Sequence, residues 1–278
     1  MEMTKRTLFV FGLILISSIS LQSQGFNLSN PIFPNVNSLA DESIGGFAGI
    51  GPNWQNGTHY VDCEGCEFID GTGTGYTFGA IYQLRISQTL FIGGYLSLDF
   101  MNISSSYREI ENITISAPDN PQLDGKSANV EFRHSADMSL SYVSLAPYLE
   151  FNPVGWLSVR AAPKISFPIG SNLVHTKEPT SSRVVVEGIE GIGSLRDETL
   201  QDSEVADLTF PLISADLTGM INLTPGEKST FSLGFTQNIP FNNTSEFGED
   251  FQIFSWRVFV EYKYSLLGTY DYLKKRRK

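Results

Sequence analysis

Residues 76–101 read YTFGAIYQLRISQTLFIGGYLSLDFM. Two runs alternate with period two on either side of Ser87-Gln88-Thr89. Tyr76, Phe78, Ala80, Tyr82, Leu84 and Ile86 share one face of the first run, and Leu90, Ile92, Gly94, Leu96, Leu98 and Phe100 share one face of the second. Alternation places successive side chains on opposite sides of an extended strand, so the stretch is a hairpin with one wholly apolar face. The other face carries Gln83, Arg85 and Asp99. Each run has about ten residues, the length a tilted strand needs to cross a bilayer.

The pattern recurs along the chain. Eight segments carry it, at approximately 44–54, 76–86, 90–101, 140–151, 156–167, 211–223, 230–241 and 254–266. Their polar faces add Glu150, Arg160, Lys164, Asp216, Arg257, Glu261 and Lys263 to Arg85 and Asp99. Connections alternate in length: 55–75, 102–139, 168–210 and 242–253 are long, whereas Ser87–Thr89, Asn152–Gly155 and Thr224–Ser229 are tight turns. Long connections at one end and short turns at the other are the pattern of outer-membrane barrels, whose turns lie in the periplasm. The spacing predicts an all-β fold, an eight-stranded antiparallel up-and-down transmembrane β-barrel over 44–266 with both termini periplasmic.

Alternation alone also fits a soluble barrel with its apolar face inward. Two observations favour lipid. Aromatic residues gather at both ends of the apolar stripe, with Tyr76, Phe100, Phe241 and Trp256 toward the long connections and Phe151, Phe231 and Tyr264 toward the turns. The polar face carries five bases, Arg85, Arg160, Lys164, Arg257 and Lys263, against four acids, Asp99, Glu150, Asp216 and Glu261. A lumen eight strands wide is filled by its own side chains, so these nine charges are expected to neutralise one another.

Composition narrows the classes further. The chain is 41% hydrophobic and only 18% charged, which excludes disorder and a coiled coil. No run of 18 apolar residues follows the N-terminus, which excludes a helical membrane protein. Residues 1–23 have the grammar of a secretory signal, with Lys5 and Arg6, the apolar run Thr7–Ile16 and the small, polar Ser17–Ser23. Residues 24–43 are then an N-terminal periplasmic segment and 267–278 a basic tail ending Lys274-Lys275-Arg276-Arg277-Lys278, suited to anionic headgroups or cell-wall polymer. The formal charge of −11 makes nucleic acid a poor partner. The four long connections hold 21 acids against 6 bases. Expected partners are outer-membrane lipids and envelope proteins met through the loops or the tail.

The architecture over 44–266 resembles small OmpA/OmpX-type outer-membrane barrels and, more loosely, the Bacteroidetes-like β-barrels that include the PorT family. The resemblance implies a C-terminal assembly signal of alternating aromatic residues. Val258, Val260, Tyr262 and Tyr264 match it, although the chain runs on for 14 residues beyond Tyr264. The residues favour a non-enzymatic structural or surface role, and the PorT-like resemblance implies an accessory role in envelope secretion or assembly as the alternative.

Few residues suggest chemistry. Cys63 and Cys66 form a Cys-Glu-Gly-Cys pair, which in an exported protein reads as a disulfide. A zinc site on His59, Asp62, Cys63 and Cys66 lacks a second Cys or His pair at the usual spacing. His59, His134 and His175 all fall in long connections and read as solvated; Lys177 reads as a loop charge. His134 and Ser135, being adjacent on an extended chain, point apart and make a poor base and nucleophile. No catalytic, cofactor-binding or metal residue is expected. A lipid-modifying enzyme working from its loops is the least favoured alternative.

Overall fold

Aromatic and β-branched residues alternating with small polar ones favour extended chain, and extended chain needs ladder partners for every backbone group. A closed ring supplies them. The computed structural model describes residues 39–61, 66–114, 125–180, 183–186, 189–192, 198–226 and 228–266. Its strands are β1 (Glu42–Tyr60), β2 (Glu67–Phe68), β3 (Thr72–Arg85), β4 (Leu90–Thr114), β5 (Ser127–Val154), β6 (Leu157–Pro179), β7 (Arg183–Val186), β8 (Ile189–Ile192), β9 (Glu198–Ser203), β10 (Leu212–Gly226), β11 (Ser229–Pro240) and β12 (Gly248–Ser265). Eight of them, β1, β3, β4, β5, β6, β10, β11 and β12, pair antiparallel in chain order, with β12 against β1 and β10 against β6 as well as β11. The up-and-down ring is therefore closed. The signal segment and basic tail fall outside the described residues.

The tight turns fall near the expected places, but two are shorter and later, at 155–156 rather than the expected 152–155 and between Gly226 and Ser229 rather than over the expected 224–229, and the long connections are in part strand. The β4–β5 ladder runs from Leu90↔Phe151 to Thr114↔Ser127, far past the expected ends of both segments. β5 and β6 pair out to Phe132↔Pro179, and β9 adds to the extension of β6. β1 likewise continues to Tyr60 and β12 begins at Gly248. The 28 residues of β5 reach about 90 Å along the strand at about 3.3 Å each, whereas an apolar band is about 25 Å tall. The surplus forms a folded head.

Burial distinguishes the two halves. In the band the apolar face points outward: Leu96 and Val258 are each 56% exposed, while Ser144 on the inner face is fully covered, at 0%. That is inverted relative to a soluble barrel and requires a nonpolar surround. Above the band the phase of alternation reverses. Met101, Ile103, Ala136, Met138, Leu140, Leu173, Phe251 and Ile253 turn inward into one core with Val61, Cys66 and Phe68. Arg108, Glu131, Arg133 and Asp137 face outward there, as a surface in water would.

Two glycines make the packed lumen possible. A Cβ on Gly93 would strike the Tyr148 ring, and one on Gly75 would strike the Arg257 guanidinium. Large inner side chains on one strand thus lie over bare backbone on another.

Candidate functional site

Two charge clusters fill the lumen. Toward the tight turns, Arg160 donates to Glu150 Oε2 from Nη2 at 2.8 Å and from Nε at 3.1 Å, and to both oxygens of Glu261 at 2.9 Å. Lys263 Nζ lies 3.0 Å from Glu261 and 3.6 Å from Glu150. The Tyr148 ring lies under the guanidinium, 4.4 Å from its carbon. Nearer the head, Lys164 Nζ stands 2.9 Å from Asp99 and 3.6 Å from Asp216. Asp99 also accepts from Thr77 and Ser144 at 2.6 Å, and Asp216 from Asn238 at 2.6 Å and from the Tyr95 hydroxyl. β-strand alternation delivers all of these groups to one side because each sits an even number of residues from its inward neighbours.

Two sequence-assigned lumen charges take other partners. Arg85 pairs with Asp41 at 3.3 Å at the tight-turn end and lies over the Phe91 ring. The reason is positional, since Arg85 ends β3 where the ring opens. Arg257 is buried on the wall of the same lumen cavity as Asp99, Lys164 and Asp216, where it donates to Asn53 Oδ1 at 2.7 Å and to the carbonyls of Gly51, Pro52 and Trp256. Between the clusters the lumen retains a cavity of about 40 Å³, bordered by Arg160, Lys164 and Asp216. That is room for a water or two.

The head holds what the sequence reading missed. All three histidines, expected to be solvated, are buried: His59 is 2% exposed, His134 4% and His175 1%. They belong to continuing strands whose inner face is the head core. His134 Nδ1 lies 3.1 Å from His175 Nε2, and His134 Nε2 lies 3.4 Å from Glu111 Oε1. Lys177, far from being a free loop charge, donates to Glu111 Oε2 at 2.6 Å and lies over the Phe132 ring. Tyr107 stacks on His134 with the ring centroids 4.9 Å apart, and Phe68 meets His175 edge-on. His134 and Ser135 do lie on opposite faces, the first buried and the second half-buried. A period-two run in the sequence, Val130, Phe132, His134, Ala136, Met138, Leu140 and Tyr142, marks this arm as strand.

Burial sets the electrostatics of the head. It pushes His59 down to about 4, against a backbone hydrogen bond at Phe247, and pushes His175 down to about 4 with help from the charges of His134 and Lys177. Burial would raise the Glu111 carboxyl, but the Lys177 hydrogen bond and charge, with His134 behind them, hold it below the usual range. An unfolded chain takes up histidine protons near pH 6.5, which these folded sites refuse until about 4. Stability of the head is therefore complete above pH 6.5 and is lost as the pH falls through that window. Protection of the β4–β5 arm amides, taken relative to the intrinsic exchange rate at each pH, should fall between pH 7 and pH 5, and His59→Gln should blunt the change. Equal protection at both pH values would contradict the buried neutral state.

Among the described residues no cysteine is free, and Cys66 is buried in the head core. Cys63 lies outside the described residues, so the Cys63–Cys66 disulfide stands as a proposal.

No protein-family model matches the chain, and no curated protein matches it. Similar solved structures are outer-membrane proteins. The attachment invasion locus protein Ail of Yersinia pestis, solved with the heparin analogue sucrose octasulfate, is 9% identical with a TM-score of 0.33, covering 81% of this chain and 99% of its own. Neisserial surface protein A is 9% identical with a TM-score of 0.35, covering 82% and 98%. The outer membrane protease OmpT of Escherichia coli is 8% identical with a TM-score of 0.32, covering 81% and 96%. The closed ladder and the inverted faces, not these distant likenesses, define the barrel.

Proposed function

We propose that the protein is a non-enzymatic barrel of the bacterial outer membrane that works as a surface-interaction protein through its head. The short turns and both chain ends lie in the periplasm in this reading, and the head stands outside the cell. The observation that carries it is the division of labour along β4, β5 and β6. Below, ion pairs of Arg160 and Lys164 cross a lumen whose cavity between the charge clusters is about 40 Å³. Above, a strand-built body carries charged residues on its outer face, among them Arg108, Glu131, Arg133 and Glu178. A ligand would meet that face first.

Protease added to intact cells tests this. It should nick the head while leaving a fragment that stays folded and fast-migrating in unboiled detergent gels, since a closed barrel has no free edge to open. Cleavage only after lysis would turn the head inward and end the surface reading.

A further inference from the structure

The cluster of Cys66, His134 and His175 carries chemistry that a surface-binding role does not use. These residues come from three separate segments, all are buried, and the Cys66 Sγ and the two ring nitrogens lie within 4.8 Å of one another. Two nitrogens bound to one Zn²⁺ at about 2.0–2.1 Å with a tetrahedral angle stand roughly 3.3 Å apart. His134 Nδ1 and His175 Nε2 are 3.1 Å apart, so the imidazoles already hold ligand spacing.

The surroundings match a zinc site as well. Glu111 Oε1 faces the outer nitrogen of His134 and can accept a hydrogen bond from its Nε2–H, which leaves Nδ1 with a free lone pair on the His175 side. Lys177 in turn fixes Glu111. Tyr107 stacked on His134 and Phe68 packed edge-on against His175 prevent either ring from swinging away. Only sulfur is in the wrong state. A disulfide sulfur is a weak donor, whereas a thiolate is among the strongest zinc ligands.

We propose that reduction of the disulfide of Cys66 opens a buried Zn²⁺ site whose protein ligands are Cys66 Sγ, His134 Nδ1 and His175 Nε2. The reductant is a low-molecular-weight thiol. Two such thiols reduce the disulfide to two protein thiols and leave as their own disulfide, and Zn²⁺ then displaces the Cys66 thiol proton to water. The same three ligands leave one coordination position open, the arrangement of zinc sites that accept a further ligand. The head is thereby a redox-gated metal site.

The test uses the full chain in detergent, stripped of metal by chelation, with Zn²⁺ affinity measured by competition and Co²⁺ as the optical probe of thiolate ligation. The native protein should show no titratable thiol and bind Zn²⁺ weakly. Thiol-treated protein should bind one Zn²⁺ per chain at least about 100-fold more tightly. Cys63→Ser frees Cys66 permanently, so it should bind equally tightly with no reductant and give the sulfur-to-cobalt absorption. In that background His134→Ala and His175→Ala should each weaken binding by more than about 100-fold, and Glu111→Gln by roughly tenfold or more. Retention of the gel heat shift certifies each variant as folded. Should a histidine variant lose its heat shift, Glu111→Gln decides. The proposal is overturned by two free thiols in the native protein, by equal Zn²⁺ affinity before and after reduction, by failure of Cys63→Ser to bind, or by unchanged affinity in a folded histidine variant or in Glu111→Gln.

Discussion

Arg160→Ala is expected to lower the unfolding midpoint of the barrel in urea more than the loss of any exposed charge, by about 3–5 kcal/mol. The guanidinium is the hub of the cluster at the tight-turn end, with four hydrogen bonds to two carboxylates. Without it, Glu150 and Glu261 face each other across a water-poor lumen with only Lys263 between them. The space vacated adjoins the cavity of about 40 Å³ that Arg160 already borders, so a water or two can enter, but these cannot replace four charge-assisted hydrogen bonds to two carboxylates. Arg133→Ala is the matched control. Arg133 also pairs with a glutamate, Glu178, but both side chains are more than a third exposed, so its removal should cost under about 1 kcal/mol. Arg160→Lys should fall between, since one ammonium cannot span two carboxylates as a planar fork does. Midpoints that coincide for Arg160→Ala and Arg133→Ala would mean that the lumen charges are solvated and unpaired.

The barrel itself was legible because each strand in the band has a single inward and a single outward duty. Tyr76 through Ile86 and Leu90 through Phe100 declare it by alternation alone, and Ser87-Gln88-Thr89 fixes their antiparallel sense. Pairing inside the lumen was legible only as a sum. Near-equal numbers of bases and acids require neutralisation, yet nothing in the sequence says that Arg160 takes two glutamates while Arg257 takes carbonyls. Those choices depend on stagger around the ring, which a list of strands lacks.

The head was missed for a different physical reason. Membrane strands are recognised by an apolar outer set, and beyond the band that set becomes polar. On β5 the apolar positions pass from Val143, Leu145 and Leu149 facing out to Leu140, Met138 and Ala136 facing in. The alternation never stops; only its phase changes relative to the solvent. Read without the bilayer, that inversion looks like the end of a strand. The histidines then look like loop residues, although His134 shares its face with Phe132 and Met138.

That phase change gives the sharpest test of where lipid ends. Leu96 occupies the middle of the outward series on β4, beside Ala80 of β3 and Leu145 of β5, and is 56% exposed. Were this surface in water, Leu96→Arg would add a charge to an open site and change stability by no more than about 0.5 kcal/mol. Against hydrocarbon the same change places a guanidinium near the midplane and should cost about 2–4 kcal/mol. Ile110 is 70% exposed on the same strand, one arm further out in the head. Ile110→Arg should be nearly neutral, because its surround is water in either case. Both variants are to be unfolded by urea from phospholipid vesicles, where the band and the head meet different solvents. A large loss at Leu96 beside none at Ile110 places the membrane boundary between them, at the point where Phe100 still faces out and Met101 begins the inward apolar series. Equal, small losses at both positions would remove the bilayer from the argument and leave the outward apolar face without a physical cause.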